Sequence, residues 1–340
     1  MNSHRMRAAR LALGPAVASL CIWLAIRHLD WSAVSAAWHG ASAAWLGVSL
    51  AILALGYAMR IVRWRLMLRT IGCGSREPVS FTEAAGPLMA GMALNNVLPF
   101  RAGDIIRTTA FCRELKLPMT RVLGTMVLER VLDLTTLVVV FFIGLRALPA
   151  GTMPPAVVDA IAAAAALSVL ALIVLLTMPG VLRRLTAPLR RAHRPAIATV
   201  GSWIAEFLDS LDAMRCRRLV VPVMAASVAI WLLEGGVFAA VALALGLIPA
   251  SQPLNPAAWF AMATGTLGTL VPGTPGYVGT FDYFTMIGLT ASGIAREPAL
   301  VCAVLVHAVL WAPITAIGLM WLGVAKGRAW RGAVDEAEAA

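Results

Sequence analysis

Three groups of residues have the types and spacing to do chemistry. Glu129, Arg130 and Asp133 stand inside an apolar run over 122–145, about 12 Å along a helix from Arg121 at 1.5 Å per residue. Glu129 and Asp133 share a helix face, and Arg130 reaches Asp133. Each charge alone would cost roughly 2.5–3.5 kcal/mol at the centre of a bilayer. They must therefore be paired or line a cavity. The second group is Asn95, Asn96, Pro99, Arg101, Gly103, Asp104 and Arg107. A helix after Gly103 sets Arg101, Asp104 and Arg107 near one face, and guanidinium forks match phosphate bidentately. The Asn pair can cap a half-helix or bond a lipid headgroup. The third group runs from Pro272 to Asp282, where Gly273, Gly276 and Gly279 free the backbone and Pro272 and Pro275 stop a helix. The half-helix that follows offers an anion site at its N-terminus. Glu234 and His307 are each a candidate partner for Arg130, and Arg60 is deep enough to reach the first broken segment. Arg60, Arg63 and Arg65 are expected to snorkel to headgroups. Each group also has a structural reading: in the order given, a buried ion-pair cluster, a salt-bridged helix start, and a tight hairpin of packed glycines.

The elements that position these residues follow from composition. Of 340 residues, 60% are apolar and only 13% charged, and the mean hydropathy is +0.82. A soluble domain is about half apolar and a quarter charged. The chain is expected to be all-α and polytopic in a membrane. Long apolar runs exclude a barrel of alternating segments. The net charge of +11 sits between apolar runs, which sets membrane orientation, so no nucleic acid is expected as partner. The five cysteines show no metal spacing. No zinc-protease, serine-hydrolase, Walker or dinucleotide signature occurs, so no cofactor, metal or catalytic residue is expected.

Six full spans are expected, over 11–26, 41–59, 122–145, 157–178, 219–248 and 299–324. The first is read as a retained span rather than a cleaved signal. Arg-rich loops after the second and fourth spans and after the last place both termini in the cytoplasm of a bacterial inner membrane. Segments 81–107 and 257–290 are apolar but broken by Pro and Gly. They are expected to be re-entrant hairpins from opposite sides, because broken backbone at membrane depth needs protein or a water-filled cavity around it. The alternative is that one or both are true but distorted spans. Residues 195–212 pattern as an interfacial amphipathic helix. Residues 1–330 form one membrane domain, and 331–340 a short cytoplasmic tail, disordered from Asp335.

The broken segments resemble each other. Leu94, Pro99 and Gly103 recur as Leu267, Pro272 and Gly276, an offset of 173 residues. The flanking runs keep nearly the same offset. Pseudo-repeats over about 11–145 and 157–324 with three spans each must be inverted, an architecture of transporters whose site lies at the repeat interface.

Arg60-Ile-Val-Arg-Trp-Arg, Asn95-Asn-Val-Leu-Pro-Phe-Arg-Ala-Gly-Asp-Ile-Ile-Arg107, Glu129-Arg-Val-Leu-Asp133 and Pro272-Gly-Thr-Pro-Gly-Tyr-Val-Gly-Thr-Phe-Asp282 together resemble the lysylphosphatidylglycerol synthase transmembrane-region family, also called flippase-like. Asp282 stands where that family usually has Glu. The resemblance implies the lipid-flipping part of such proteins. Their soluble aminoacyl-transferase domain has no room in 340 residues, so lysyl-lipid synthesis is not expected of this chain. The expected function is translocation of a phospholipid, glycolipid or other polar lipid. Arg101, Arg107 and Arg130 would hold phosphate, and Glu129, Asp133 and Asp104 would position them. Two alternatives stand beside it. One is a component of a lipid glycosyl- or aminoacyl-transferase pathway, with Glu129 or Asp133 as general base. The other is a non-catalytic scaffold. Membrane lipids are the expected partners, and a lipid-synthesising or lipid-modifying enzyme is the candidate protein partner.

Overall fold

The computed structural model describes residues 15–27, 29–71, 79–98, 102–109, 119–149, 155–190, a few between 200 and 208, 217–270 and 274–338. Among these, regular structure is helical throughout. In chain order the helices are α1 (Pro15–Ile26), α2 (Trp31–His39), α3 (Ala43–Ile71), α4 (Phe81–Val97), α5 (Ala102–Thr109), α6 (Met119–Arg146), α7 (Pro155–Thr177), α8 (Pro179–Arg190), α9 (Arg217–Ala244), α10 (Pro256–Gly268), α11 (Thr280–Ala291) and α12 (Arg296–Glu338). A 3-10 turn, Pro275–Tyr277, stands before α11.

Three helices have segments long and apolar enough to cross a membrane: Ala43–Arg69, Val220–Ala244 and Arg296–Val324. They are three of the six expected spans. Of the others, α1 meets α2 at an 89° bend, α6 has the length but carries Glu129, Arg130 and Asp133, and α7 holds a shorter apolar stretch, Val158–Leu170. The residues expected to form an interfacial helix at 195–212 lie mostly outside the described ones. The expected disorder from Asp335 is corrected: α12 continues to Glu338, through Ala and Glu, both strong helix formers.

Both broken segments fold as paired half-helices, α4 with α5 and α10 with α11. Helix α4 starts in a capping box, in which the Ser80 Oγ accepts from the Glu83 N–H and the Glu83 carboxylate from the Ser80 N–H at 2.7 Å. Helix α10 starts at Asn255, whose side chain accepts from the Ala257 N–H, with Pro256 in the first turn. The half-helices then pack across the molecule. Helix α4 lies on α12, where Gly318 faces the Met89 carbonyl. Helix α10 lies on α6, where Gly144 faces Phe260 and the Phe141 and Phe260 rings are 5.3 Å apart. Between these two contacts α3 packs along α9. Trp64, Phe141, Phe238 and Phe260 are among the fully buried side chains of this core.

Helix α5 crosses α4 at Gly103. A Cβ there would stand 2.1 Å from the Gly91 carbonyl oxygen and 2.6 Å from the Asn95 nitrogen. Backbones this close admit no side chain. Gly103→Ala is expected to cost about 1–3 kcal/mol, the range for overpacking, and to lower the melting temperature of the detergent-solubilised protein by several degrees. Gly47, with nothing within 4 Å of its Cβ position, is the control. Equal melting temperatures for Gly103→Ala and Gly47→Ala would contradict the close crossing.

Candidate functional site

The intramembrane charges gather into two clusters and one separate pair. The first cluster joins α3, α4, α5, α6 and α9. Arg63 of α3 grips Asp133 with both terminal nitrogens, at 2.6 and 3.3 Å, and lies 3.5 Å from Glu129. It also donates to the Ser227 Oγ of α9 at 3.0 Å. Arg107 of α5 donates to Glu129 at 3.2 Å, and its guanidinium lies over the Trp64 ring at 4.0 Å. The Trp64 Nε1 donates to Thr125, and the Trp231 Nε1 to Asp133. Arg130 donates to Asp104 at 3.1 and 3.2 Å and stands 4.0 Å from Asp133.

This cluster balances three guanidiniums with three carboxylates. Burial separates their roles. The side chains of Arg63 and Arg107 are 1% exposed and that of Glu129 4%, whereas Arg130 is 34% exposed. Arg130 is the cation of the set that a ligand can reach. It opens, with Asp104, into a cavity of about 570 Å³ between α6 and α7 lined by Leu123, Val127, Leu134 and Leu167.

Asn95 ties the two arms of the first hairpin. Its carbonyl accepts from the Asp104 N–H at 3.1 Å, in the first turn of α5, and its amide donates to the Asp104 carboxylate at 2.8 Å. It thus satisfies a helix-end donor. Asn96 donates to Thr315 of α12 at 2.9 Å, and its backbone carbonyl accepts from Trp311.

The second cluster joins the 3-10 turn, α11 and α12. Asp282 accepts from the Gly279 N–H at 2.8 Å and lies 2.8 Å from His307 Nδ1, whose ring Nε2 is 2.9 Å from the Gly276 carbonyl. Gly276 (φ +69°) and Tyr277 (φ +60°) are both left-handed. A Cβ on Gly276 would stand 2.7 Å from the Trp311 Nε1 and 3.1 Å from the Asn96 carbonyl. The end of α4 thus abuts the turn of the second hairpin. Pro275 lies in that turn and Gly279 at the N-cap of α11.

Several expectations change. Glu234 and His307 do not partner Arg130. Glu234 pairs with Arg60 at 2.8 Å, and His307 with Asp282. Arg60 and Arg63 turn to carboxylates inside the protein rather than to headgroups. Arg60 meets Glu234, Arg63 is enclosed by carboxylates, and the Arg65 Nε donates to the Val79 carbonyl. A cation can stay inside wherever a neighbouring helix supplies an acid. Nor is the start of α11 an open anion site, because the Asp282 carboxylate occupies it; Asp104 sits likewise in the first turn of α5. Pro99, Arg101, Pro272 and Gly273 lie outside the described residues. Arg63, Ser227, Trp231 and Thr315 had not been singled out as site residues. Arg63 was legible in part: Glu129, Arg130 and Asp133 lack one positive charge, and Arg63 stands on an adjacent apolar segment.

The fold and these clusters define a class: an all-helical membrane protein with broken helices and charges neutralised between its helices. Residues 11–318 match the family described as the lysylphosphatidylglycerol synthase TM region, and the chain belongs to it. A curated relative from Haloferax volcanii, named Glycosyltransferase AglD, is 26% identical over 344 residues, covering 92% of this chain and 54% of that protein. The chain spans about half the length of that relative.

Removing one partner of a buried ion pair leaves the other uncompensated, at a cost of about 3–5 kcal/mol. Arg63→Ala is expected to destabilise the protein by that amount, and Arg63→Lys to recover only part, since an ammonium does not match two carboxylate oxygens. Arg130→Ala leaves Asp104 on the Asn95 amide and Asp133 on Arg63, and should cost less than Arg63→Ala. Thermal unfolding in detergent ranks the three; an Arg130→Ala loss as large as that of Arg63→Ala would contradict the division of roles.

Proposed function

We propose that this chain is a lipid translocase of a bacterial inner membrane, passing a phosphate-bearing polar lipid between leaflets, with both termini cytoplasmic. The observation that carries the reading is Arg130: a partly exposed cation at membrane depth, at the edge of an apolar cavity. A hydrocarbon chain can lie along Leu123, Leu134 and Leu167, an apolar wall that resembles the lipid tails around it. The phosphate would then share the Arg130 fork with Asp104, which Asn95 holds in place. Behind them Arg63, Arg107, Glu129 and Asp133 form a neutral, fixed wall.

In this reading the six spans and two hairpins form an inverted repeat. The cross-packing supports it: the first half-helix of each hairpin lies on the last long helix of the opposite half. Arg60 and Glu234, which bond each other, are 174 residues apart, close to the offset of the repeated motif. Residues related by a two-fold axis meet where they lie on it, and the α3–α9 contact falls there. Substituted cysteines tested with an impermeant reagent check the orientation. Positions near Arg190 should label from the cytoplasm, and those near Arg146 and Arg296 from outside. The reverse pattern would overturn it.

A second reading, a membrane component of a lipid glycosyltransferase pathway, is favoured by the name of the Haloferax relative. Both general bases suggested for it are engaged: Glu129 is buried between two guanidiniums, and Asp133 is held by Arg63. Purified protein in liposomes with headgroup-labelled phospholipids and glycolipids distinguishes the two. Translocation should fall at least tenfold in Arg130→Ala, with the protein still folded. Sugar transfer from an activated donor, with no lipid movement, would replace the translocase reading with the second.

A further inference from the structure

His307 stands between two acceptors. Its Nε2 is 2.9 Å from the Gly276 carbonyl oxygen, and its Nδ1 is 2.8 Å from a carboxylate oxygen of Asp282. A carbonyl only accepts, so Nε2 carries hydrogen. If Asp282 is ionised, Nδ1 must also carry hydrogen and the ring is an imidazolium. If the ring is neutral, Nδ1 is a bare lone pair and the carboxyl must donate to it. Both arrangements contain one proton more than a neutral imidazole and a carboxylate. The second Asp282 oxygen does not relieve this, because it accepts from the Gly279 N–H at 2.8 Å.

We infer that His307 and Asp282 form a proton-binding site that latches the turn of the second hairpin onto α12. After loss of one proton to water, the stronger bond to the ionised Asp282 keeps the remaining hydrogen on Nδ1, so a bare Nε2 faces the Gly276 carbonyl and the turn is released. That turn is a small target, with two left-handed residues and an internal bond from the Thr274 Oγ1 to the Val278 carbonyl. The site is accessible: the His307 and Asp282 side chains are 14% and 13% exposed, beside a cavity of about 800 Å³ that Trp31, Trp38 and Trp311 help to line.

Among the described residues, the surroundings set no fixed charge against the pair. Helix α2 brings His39 to the cavity, and α1 only Ile22, Ala25 and Ile26. From α11 comes the Phe281 ring, 5.0 Å from the imidazole, with Phe238 of α9 behind it. Glu234 of α9 is engaged by Arg60. Helix α4 presents the Asn96 carbonyl, to Trp311. On α12 itself, Arg296 donates to the Leu24 and Ala25 carbonyls at the end of α1. Resting on the translocase reading for its role, the site ties movement of the second hairpin to a proton gradient.

A nitroxide at Val278→Cys, in full-length protein lacking its five native cysteines and held in nanodiscs, reports the turn. The electron-spin spectrum should be immobile at about pH 5.5 and largely mobile at about pH 9.5, on either side of the neutral range. His307→Gln keeps a donor for Gly276 without a titrating group, and should stay immobile at both. An unchanged spectrum in the parent, or an equal change in His307→Gln, overturns the proposal. Should that variant fail to fold, Asp282→Asn, which removes the acid, should abolish the pH response; a response as large as the parent's overturns it. Nitrogen-15 spectra of the parent give a second readout: a bare Nδ1 beside an ionised Asp282 at about pH 5.5 also overturns it. A pH-responsive turn without lipid movement in liposomes would leave the proton site standing and end the translocase reading. Lipid movement with a pH-insensitive turn would do the opposite.

Discussion

Charge inside hydrocarbon must be neutralised by the protein itself, and the rest of the structure is arranged around that requirement. Arg63 is its centre. One guanidinium joins Asp133 and Glu129 of α6 to Ser227 of α9, while Glu129 reaches on to Arg107 of α5. The helices that carry these groups are therefore fixed relative to one another by charge as well as by packing. The broken segment α4–α5 is held together by side chains. Asn95 and Arg107 bind its second arm to the first arm and to α6. The apolar face of a helix in lipid specifies little about what it packs against. Directed, charge-assisted bonds specify much more.

The two clusters differ in a way that matters for function. The first is built from permanent charges, with its innermost cations sealed and Arg130 left reachable. The second is built from a histidine and an aspartate, whose net charge depends on one proton. The first suits recognition of an anion that does not change with pH. The second suits a moving part. The hairpins that carry the clusters touch, since Asn96 at the end of α4 faces the Gly276 turn and Trp311 contacts both.

The fold class, the broken segments and most of the charged residues were legible because hydropathy, proline and glycine act locally along the chain. The pairing was not. Arg63 and Arg65 look alike in sequence, yet Arg63 is enclosed by two carboxylates and Arg65 caps a backbone carbonyl. That difference depends on which helix passes nearby. His307 looked like a partner for Arg130 for the same reason: both are polar groups in apolar spans, and nothing local says that α11 intervenes with Asp282. Asp104 and Asp282 were visible as acids near broken helices. Their placement in the first turn of each half-helix, where they fill the site expected for a ligand anion, follows from helix boundaries, which sequence marks least well. The tail erred the other way, because a charged terminal segment rich in Ala and Glu is also a good helix.

The central claim is that Arg130 meets a lipid phosphate while the charges behind it stay paired. Cryo-electron microscopy of the protein in nanodiscs of anionic phospholipid tests it most directly. The account predicts headgroup density within hydrogen-bonding distance of Arg130, a chain lying along Leu123, Leu134 and Leu167, and Arg63 still on Asp133. An Arg130 closed onto Asp104 and Asp133, with the cavity between α6 and α7 free of lipid, would contradict it.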